Sequence, residues 1–172
     1  MQIGLMKIRT EVEDDWPAVY RINAAAFETE AEAKLVETIR NEVSPYLSQV
    51  AVIDGEVVGH ILFTPVQLVG NPHVSLMGLA PMAVAEARRG QGVGTALIES
   101  GIAACRLLSV NAVFVLGHPD YYPKFGFETA SLYGLRCEYE VPDEVFMVLE
   151  LTSGTLAACS GLIQYHPVFA AV

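Results

Sequence analysis

The sequence predicts a single α/β (α+β) domain over its 172 residues, with a twisted, mixed but mostly antiparallel sheet of six to seven strands and helices on both faces. The dipeptide Asp54-Gly55 lies between two apolar runs, which is typical of a tight hairpin. Two amphipathic helical patterns precede this hairpin, and a strand, a glycine-rich turn and a helix follow it. Elements in this order favour a sheet that is covered by helices.

The first elements are a strand and two helices. Residues 6–9 alternate apolar and polar side chains, which indicates a short strand. Asp14 or Asp15 is expected to cap the first helix, and Pro17 suits its first turn. Over residues 31–40, apolar side chains recur at helical spacing and predict the second helix.

The next elements are the two hairpin strands, 49–53 and 57–69, and a fourth strand, 74–84. Pro81 lies inside the fourth strand and cannot donate a ladder hydrogen bond, so a bulge is expected there. A bulge splays a strand and frees some of its backbone groups. The fourth strand is therefore predicted to be irregular at its end.

The last part of the chain begins with a helix. Apolar side chains at steps of three and four residues over 97–108 predict it, with Cys105 on the packed face. Two apolar runs, 113–116 and 146–151, predict a fifth and a sixth strand. Residues 161–167 predict one more strand, whose place in the sheet the sequence does not give.

Composition excludes several classes of protein. Twenty acidic and ten basic residues give a formal charge of -10, which argues against a nucleic-acid binder and suits a cationic amine partner. The three cysteines show no disulfide or zinc spacing, so no metal is expected. No signal peptide or membrane-spanning run is visible, which predicts a cytoplasmic protein that does not bind a membrane. A homodimer stays open.

A glycine-rich turn, Arg89-Gly90-Gln91-Gly92-Val93-Gly94-Thr95, opens the third helix and is preceded by Arg88. Such a turn can direct several N–H groups at one anion, and the helix dipole adds to the attraction. A dinucleotide fingerprint fits the spacing poorly, because Thr95 stands where the third small residue belongs. A Walker P-loop fails, since no lysine follows Gly92 or Gly94.

The segment resembles the acyl-CoA pyrophosphate loop of the GCN5-related N-acetyltransferase (GNAT) superfamily. Downstream, the segment 116–127, with Tyr121, Tyr122 and a closing Phe-Gly-Phe, resembles the family's later motif at the usual separation. The residues of the later motif and of the approach to the turn, 78–84, are also similar to those of the bacterial YhbS-like branch of this superfamily. The resemblance implies a GNAT-like fold in which the parallel strands four and five splay apart and hold acetyl-CoA as cosubstrate.

The resemblance also implies roles for individual residues. The main chain of Met82, Ala83 and Val84 would pair with the pantetheine arm, and an N–H there would stabilise the oxyanion. Tyr122, four residues before Gly126, would be the general acid for the departing thiolate, with Tyr121 as runner-up.

The general base stays open, because the segment 76–84 contains no ionisable residue, whereas many relatives carry a glutamate on this strand. Histidine is a residue type that can serve as a base near neutral pH, but His118 stands before a proline, and such a histidine is more often a loop hydrogen-bonding residue. Asp120 suits a turn, and a water relay to a remote carboxylate is an equal alternative.

The predicted function is N-acetyl transfer from acetyl-CoA to the primary amine of a small molecule or peptide. Two other classes stay open. A noncatalytic acyl-CoA sensor would keep residues 89–95 but would not need a placed Tyr122, and a nucleotide-binding protein would keep only the glycine turn. Fold-level analogy does not identify the acceptor amine.

Overall fold

The computed structural model describes residues 4–172. Its three α-helices are α1 (Trp16–Ala26), α2 (Ala31–Glu42) and α3 (Val93–Leu107). Its strands are β1 (Met6–Thr10), β2 (Leu47–Ile53), β3 (Glu56–Leu68), β4 (Asn71–Val84), β5 (Ala112–Leu116), β6 (Glu128–Thr129), β7 (Leu135–Cys137), β8 (Phe146–Glu150) and β9 (Gly161–Gln164). These strands form a mixed sheet.

The predicted strands are all present, and two further ones, β6 and β7, were not predicted. They have 2 and 3 residues, which is too short for an alternating pattern to show. The predicted last strand is β9, which pairs with β3 and β7. The place of β9 in the sheet depends on pairing with strands that are distant in the sequence, and local sequence patterns do not show such pairing.

The chain forms two compact units. One comprises residues 4–63, 81–101 and 167–172, and the other comprises 64–80 and 102–166. In the first unit, β1, β2 and β3 pair antiparallel in sequence order. The prediction of a single domain stays a prediction.

In the second unit, β4 and β5 pair in parallel, whereas β5, β8 and β6 pair antiparallel in that order. The end of β3 pairs antiparallel with β9, and β9 runs parallel to β7. Most of the pairings are therefore antiparallel, as predicted. The predicted parallel neighbours, the fourth and fifth strands, are also confirmed.

Helices cover both faces of the sheet in the first unit. Val50 of β2 is buried in a cluster with Val19 of α1 and Val36 of α2. Ala51 points to the opposite face, because successive strand residues alternate. On that face, a Cβ built on Gly59 would lie 2.8 Å from Val93 and 2.9 Å from Leu97 of α3, and 3.5 Å from Ala51. The predicted two-sided covering is confirmed in this unit.

The turn between β2 and β3 is the predicted tight hairpin. Asp54 has φ 51° and Gly55 has φ 79°. Positive φ at both central residues is the geometry that matches the right-handed twist of the flanking strands.

The predicted capping role of the aspartates before α1 is wrong. Asp15 occupies the N-cap position, but its side chain makes no capping hydrogen bond. Its carboxylate instead pairs with Arg9 at 2.6 Å and accepts the N–H of Val12 at 2.8 Å. The hydrogen bond from Arg9 is the main reason why the pKa of Asp15 is lowered. The ion pair with Arg9 on β1 thus takes the place of the predicted capping hydrogen bond. Pro17 lies in the first turn of α1, as predicted.

A buried polar group on β3 ties the strand to α1 and β2. His60 is 0% exposed, and its Nδ1 lies 3.1 Å from the amide nitrogen of Asn23. An amide nitrogen only donates, so Nδ1 accepts and Nε2 carries the proton, which it donates to Oγ of Ser48 at 2.9 Å. Burial, followed by the charge of Arg40, lowers the pKa of His60 to about 3.

We expect this histidine to make stability depend on pH. The unfolded chain binds a proton at His60 below its ordinary pKa of 6.5, whereas the folded chain stays neutral down to about 3. The free energy of unfolding should therefore fall as the pH is lowered through that window, by up to about 1.4 kcal/mol per pH unit. Urea unfolding of the wild type and His60→Gln at several pH values measures the difference, in which the contribution of Asp15 cancels.

His73→Gln is the matched control, because His73 is an exposed histidine. The stability advantage of the wild type over His60→Gln should shrink between pH 6.5 and pH 4. An advantage that stays constant over that range would show that His60 is not held neutral.

Candidate active site

The glycine-rich turn has the backbone shape that its sequence predicted. A short 3-10 helix, Glu86–Arg88, leads from β4 into the turn, and α3 begins at Val93. Gly90 has φ 75° and Gly92 has φ 84°, which side chains rarely adopt. A Cβ built on either glycine would meet no heavy atom within 4 Å, so the turn is open on this side. Gly94 has no positive φ, because it already belongs to α3.

The backbone of the turn presents a row of free donors. Within residues 4–172, the N–H groups from Gly90 to Thr95 donate no hydrogen bond. The first helical hydrogen bond comes after them, from Ala96 to the carbonyl of Gly92 at 3.0 Å. Unpaired N–H groups beside the positive end of a helix dipole are suited to bind an anion.

The two arginines of the turn keep their charge available. In the part of the chain that the structure describes, neither Arg88 nor Arg89 forms an ion pair. Nε of Arg89 donates to the carbonyl of Val84 at 3.3 Å, which holds the side chain beside the end of β4. The terminal nitrogens of this guanidinium are left to meet an anion.

A packed helix anchors the turn. Val93, Leu97 and Ile98 of α3 are buried, and the N–H of Ala85 donates to the carbonyl of Val58 on β3 at 2.8 Å. Cys105 is also buried on the packed face, as predicted, and burial raises the pKa of its thiol to about 12. This thiol is therefore a packing group rather than a nucleophile.

The end of β4 precedes the turn and carries three of the predicted binding residues. Ala83 is buried, whereas Met82 and Val84 are half-buried. The ladder with β5 runs from Leu76 to Leu79, while β4 itself continues to Val84. The bulge predicted at Pro81 stays a prediction.

Tyr122 begins a short 3-10 helix, Tyr122–Phe125, that follows β5. Its side chain is 7% exposed, with the rings of Tyr121 at 5.2 Å and Phe127 at 5.5 Å, both edge-on. Burial is the main reason why its pKa is raised to about 12, with Tyr121 contributing. Its hydroxyl makes no hydrogen bond within residues 4–172. The hydroxyl is thus protonated at neutral pH, and no backbone carbonyl of residues 4–172 accepts a hydrogen bond from it.

The other titratable candidates are exposed. His118 acts through its main chain, since its carbonyl accepts the N–H groups of Tyr121 at 3.1 Å and Tyr122 at 3.3 Å. The side chains of His118 and Asp120 are exposed to solvent. His60, which no sequence motif marks, is fully enclosed and cannot meet a substrate. The structure does not add a base to the candidates.

Among residues 4–172, no three His, Cys, Asp or Glu side chains are grouped to hold a metal ion. Over the same residues, no helix has both the length and the apolar character to cross a membrane.

Comparison with known proteins shows which family the chain is similar to. Residues 7–130 match the family model described as acetyltransferase (GNAT) domain. The chain is 37% identical over 165 residues to the uncharacterized N-acetyltransferase YhbS of Escherichia coli K12, which covers 95% of this chain and 98% of that protein. These matches confirm the resemblance that the two motifs indicated.

Two solved structures are similar over almost their whole length. The crystal structure of the YhbS GNAT family N-acetyltransferase from Escherichia coli in complex with CoA has a TM-score of 0.92 and 35% identity, and covers 99% of this chain and 94% of that one. A GNAT family acetyltransferase from Brucella melitensis in complex with acetyl-CoA has a TM-score of 0.79 and 30% identity, and covers 96% and 99%. The predicted fold class is thereby confirmed.

Proposed function

This chain belongs to the GNAT acetyltransferase family, and from that premise we propose that it transfers the acetyl group of acetyl-CoA to a primary amine. The observation that carries the proposal is the row of unpaired N–H groups from Gly90 to Thr95. The two similar structures were solved with CoA and acetyl-CoA, which supports this cosubstrate. The family match and the CoA-bound structure of the similar N-acetyltransferase support acetyltransferase activity.

The turn is proposed to hold the pyrophosphate of the cosubstrate. Its N–H groups would donate to the phosphate oxygens, and the free guanidinium nitrogens of Arg89 would add charge-assisted hydrogen bonds. The residues assigned to this role are Arg89, Gly90, Gln91, Gly92, Val93, Gly94 and Thr95. The main chain of Met82, Ala83 and Val84 is proposed to pair with the pantetheine arm and to stabilise the oxyanion.

Tyr122 is proposed to be the general acid. When the amine attacks the thioester carbon, the carbon–sulfur bond breaks and the sulfur leaves with the electron pair. A proton from the Tyr122 hydroxyl would neutralise that sulfur. The free hydroxyl supports this role, because it accepts or donates no hydrogen bond within residues 4–172 and is therefore available to the departing sulfur.

The amine must lose a proton to react. No residue is assigned as its base, because residues 76–84 carry no ionisable side chain and the nearby His118 and Asp120 are exposed. The net charge of -10 suits a cationic acceptor, which such a surface attracts before it is deprotonated.

We expect acetyl-CoA to raise the melting temperature more than NAD or ATP does at matched concentration. The physical reason is that the turn fits the CoA pyrophosphate and lacks the spacing of the other two motifs. Thermal unfolding with each ligand measures this shift. An equal shift with NAD would contradict the assignment of the turn.

Turnover is tested with a defined set of amines. Release of free thiol from acetyl-CoA is followed with alanyl-alanine, Nα-acetyl-lysine, spermidine, glucosamine and kanamycin, which represent the acceptor classes left open. Amine-dependent thiol release supports the enzyme. Tight acetyl-CoA binding without release for any of them would favour a noncatalytic acyl-CoA sensor.

A further inference from the structure

The ring of Tyr122 lies against Gly117, the residue that follows β5. A Cβ built on Gly117 would lie 2.3 Å from Cε2 and 2.8 Å from Cδ2 of Tyr122. Real Cβ atoms essentially never approach a heavy atom within 3.0 Å, so either the ring or the backbone would have to move. Glycine, which has no side chain, therefore leaves room at position 117 for the ring of Tyr122.

The backbone at this position is held from the other side. The N–H of Gly117 donates to the carbonyl of Val145 at 3.0 Å, and the preceding Leu116 pairs with Phe146 in the β5–β8 ladder. Because these hydrogen bonds oppose a retreat of the backbone, a side chain at position 117 would displace the ring of Tyr122.

Packing alone fixes the direction of the Tyr122 hydroxyl. The hydroxyl makes no hydrogen bond to the described residues, and the ring is held by edge-on contacts with Tyr121 and Phe127 together with the surface of Gly117. A push on the ring is thus transmitted to the hydroxyl, since no hydrogen bond to residues 4–172 holds the oxygen in place.

We propose that Gly117 is a positioning residue of the transfer reaction, because its missing side chain lets the Tyr122 ring rest against the end of β5 and sets the place of the hydroxyl. This inference rests on the proposed function, in which that hydroxyl is the acid. Relief of a 2.3 Å contact requires a ring shift of about 1 Å, and a misplacement of that size costs about a hundredfold in rate.

The test is Gly117→Ala, assayed by thiol release from acetyl-CoA with each of the five amines. We expect kcat to fall about a hundredfold while KM for acetyl-CoA changes less than about twofold. In the Tyr122→Phe background, Gly117→Ala should cause no further fall, because the hydroxyl that it displaces is already absent. A general loss of structure would not produce this non-additivity.

Gly101→Ala is the matched control. A Cβ on Gly101 would lie 2.4 Å from Cε2 of Phe63, a similar clash with a ring that has no proposed role. We expect it to lower the melting temperature and to leave kcat unchanged. A folded Gly117→Ala enzyme with wild-type kcat, or one that loses as much in the Tyr122→Phe background as in the wild type, would overturn the inference.

The failure of this inference can be told from the failure of the proposed acid. If Tyr122→Phe loses activity and Gly117→Ala does not, only the positioning role is wrong, whereas full activity of Tyr122→Phe removes the acid itself. Should Gly117→Ala not fold, Phe127→Leu frees the ring on another side. We then expect about a tenfold loss of kcat that is absent in the Tyr122→Phe background, and wild-type kcat would overturn the inference.

Discussion

Replacing Tyr122 with phenylalanine should lower kcat by about a hundredfold to ten-thousandfold, with little change in acetyl-CoA affinity. The substitution removes one hydroxyl and keeps the ring that packs on Phe127. The hydroxyl has no hydrogen-bond partner among residues 4–172, so its removal breaks no hydrogen bond in that part of the chain. An interaction made only as the sulfur departs lowers the barrier without strengthening ground-state binding. Steady-state kinetics and a binding titration separate the two effects.

Tyr121→Phe is the control for this experiment. Tyr121 is the neighbouring tyrosine, and its ring meets Tyr122 and Phe125 edge-on while Lys124 lies 4.0 Å from its centroid. Removing the hydroxyl of Tyr121 should lower kcat less than removing that of Tyr122. If Tyr121→Phe loses turnover and Tyr122→Phe keeps it, the two roles must be exchanged, and if both keep it, the acid lies elsewhere.

A valine at Gly92 should weaken CoA binding by about tenfold to a hundredfold. Gly92 has φ 84°, and a β-branched residue pays about 1–3 kcal/mol to adopt such a backbone or else rearranges the turn. Either result spoils the row of N–H groups, and the branched side chain also blocks the approach of a phosphate. Titration of CoA into the folded variant measures the loss.

Gly70→Val is the matched control for backbone strain. Gly70 has φ 86° and, like Gly92, would carry a Cβ that meets nothing within 4 Å. Its valine variant should lose similar stability and keep wild-type CoA affinity. Unchanged CoA affinity in a folded Gly92→Val protein would remove the proposed role of the turn.

Features that depend on neighbouring residues in the chain could be predicted from the sequence. The hairpin at Asp54-Gly55 and the turn at Gly90 and Gly92 have positive φ values because glycine and aspartate at these positions favour them. Helix α3 and the burial of Cys105 follow from apolar spacing alone. The family resemblance came from two such local motifs.

Side-chain partners that come from distant parts of the chain could not be predicted. Asp15 carries every local mark of a cap, yet Arg9 on β1 takes its carboxylate. His60 stands in an apolar run and shows no sign of its partners, Asn23 and Ser48, which come from other elements. Gly117 likewise gains a proposed role only once the ring of Tyr122 is seen against it. The base that would accept the proton of the amine could not be predicted either, because the segment 76–84 contains no ionisable residue.

Transfer of an acetyl group from acetyl-CoA to an amine by this protein is tested most directly by quantifying both products. Mass spectrometry quantifies the acetylated amine while a thiol reagent quantifies free CoA in the same reaction. Equal amounts of the two, both reduced in Tyr122→Phe, are the result we expect. Free CoA without acetylated amine, or bound acetyl-CoA with neither product for any of the five amines, would contradict the claim.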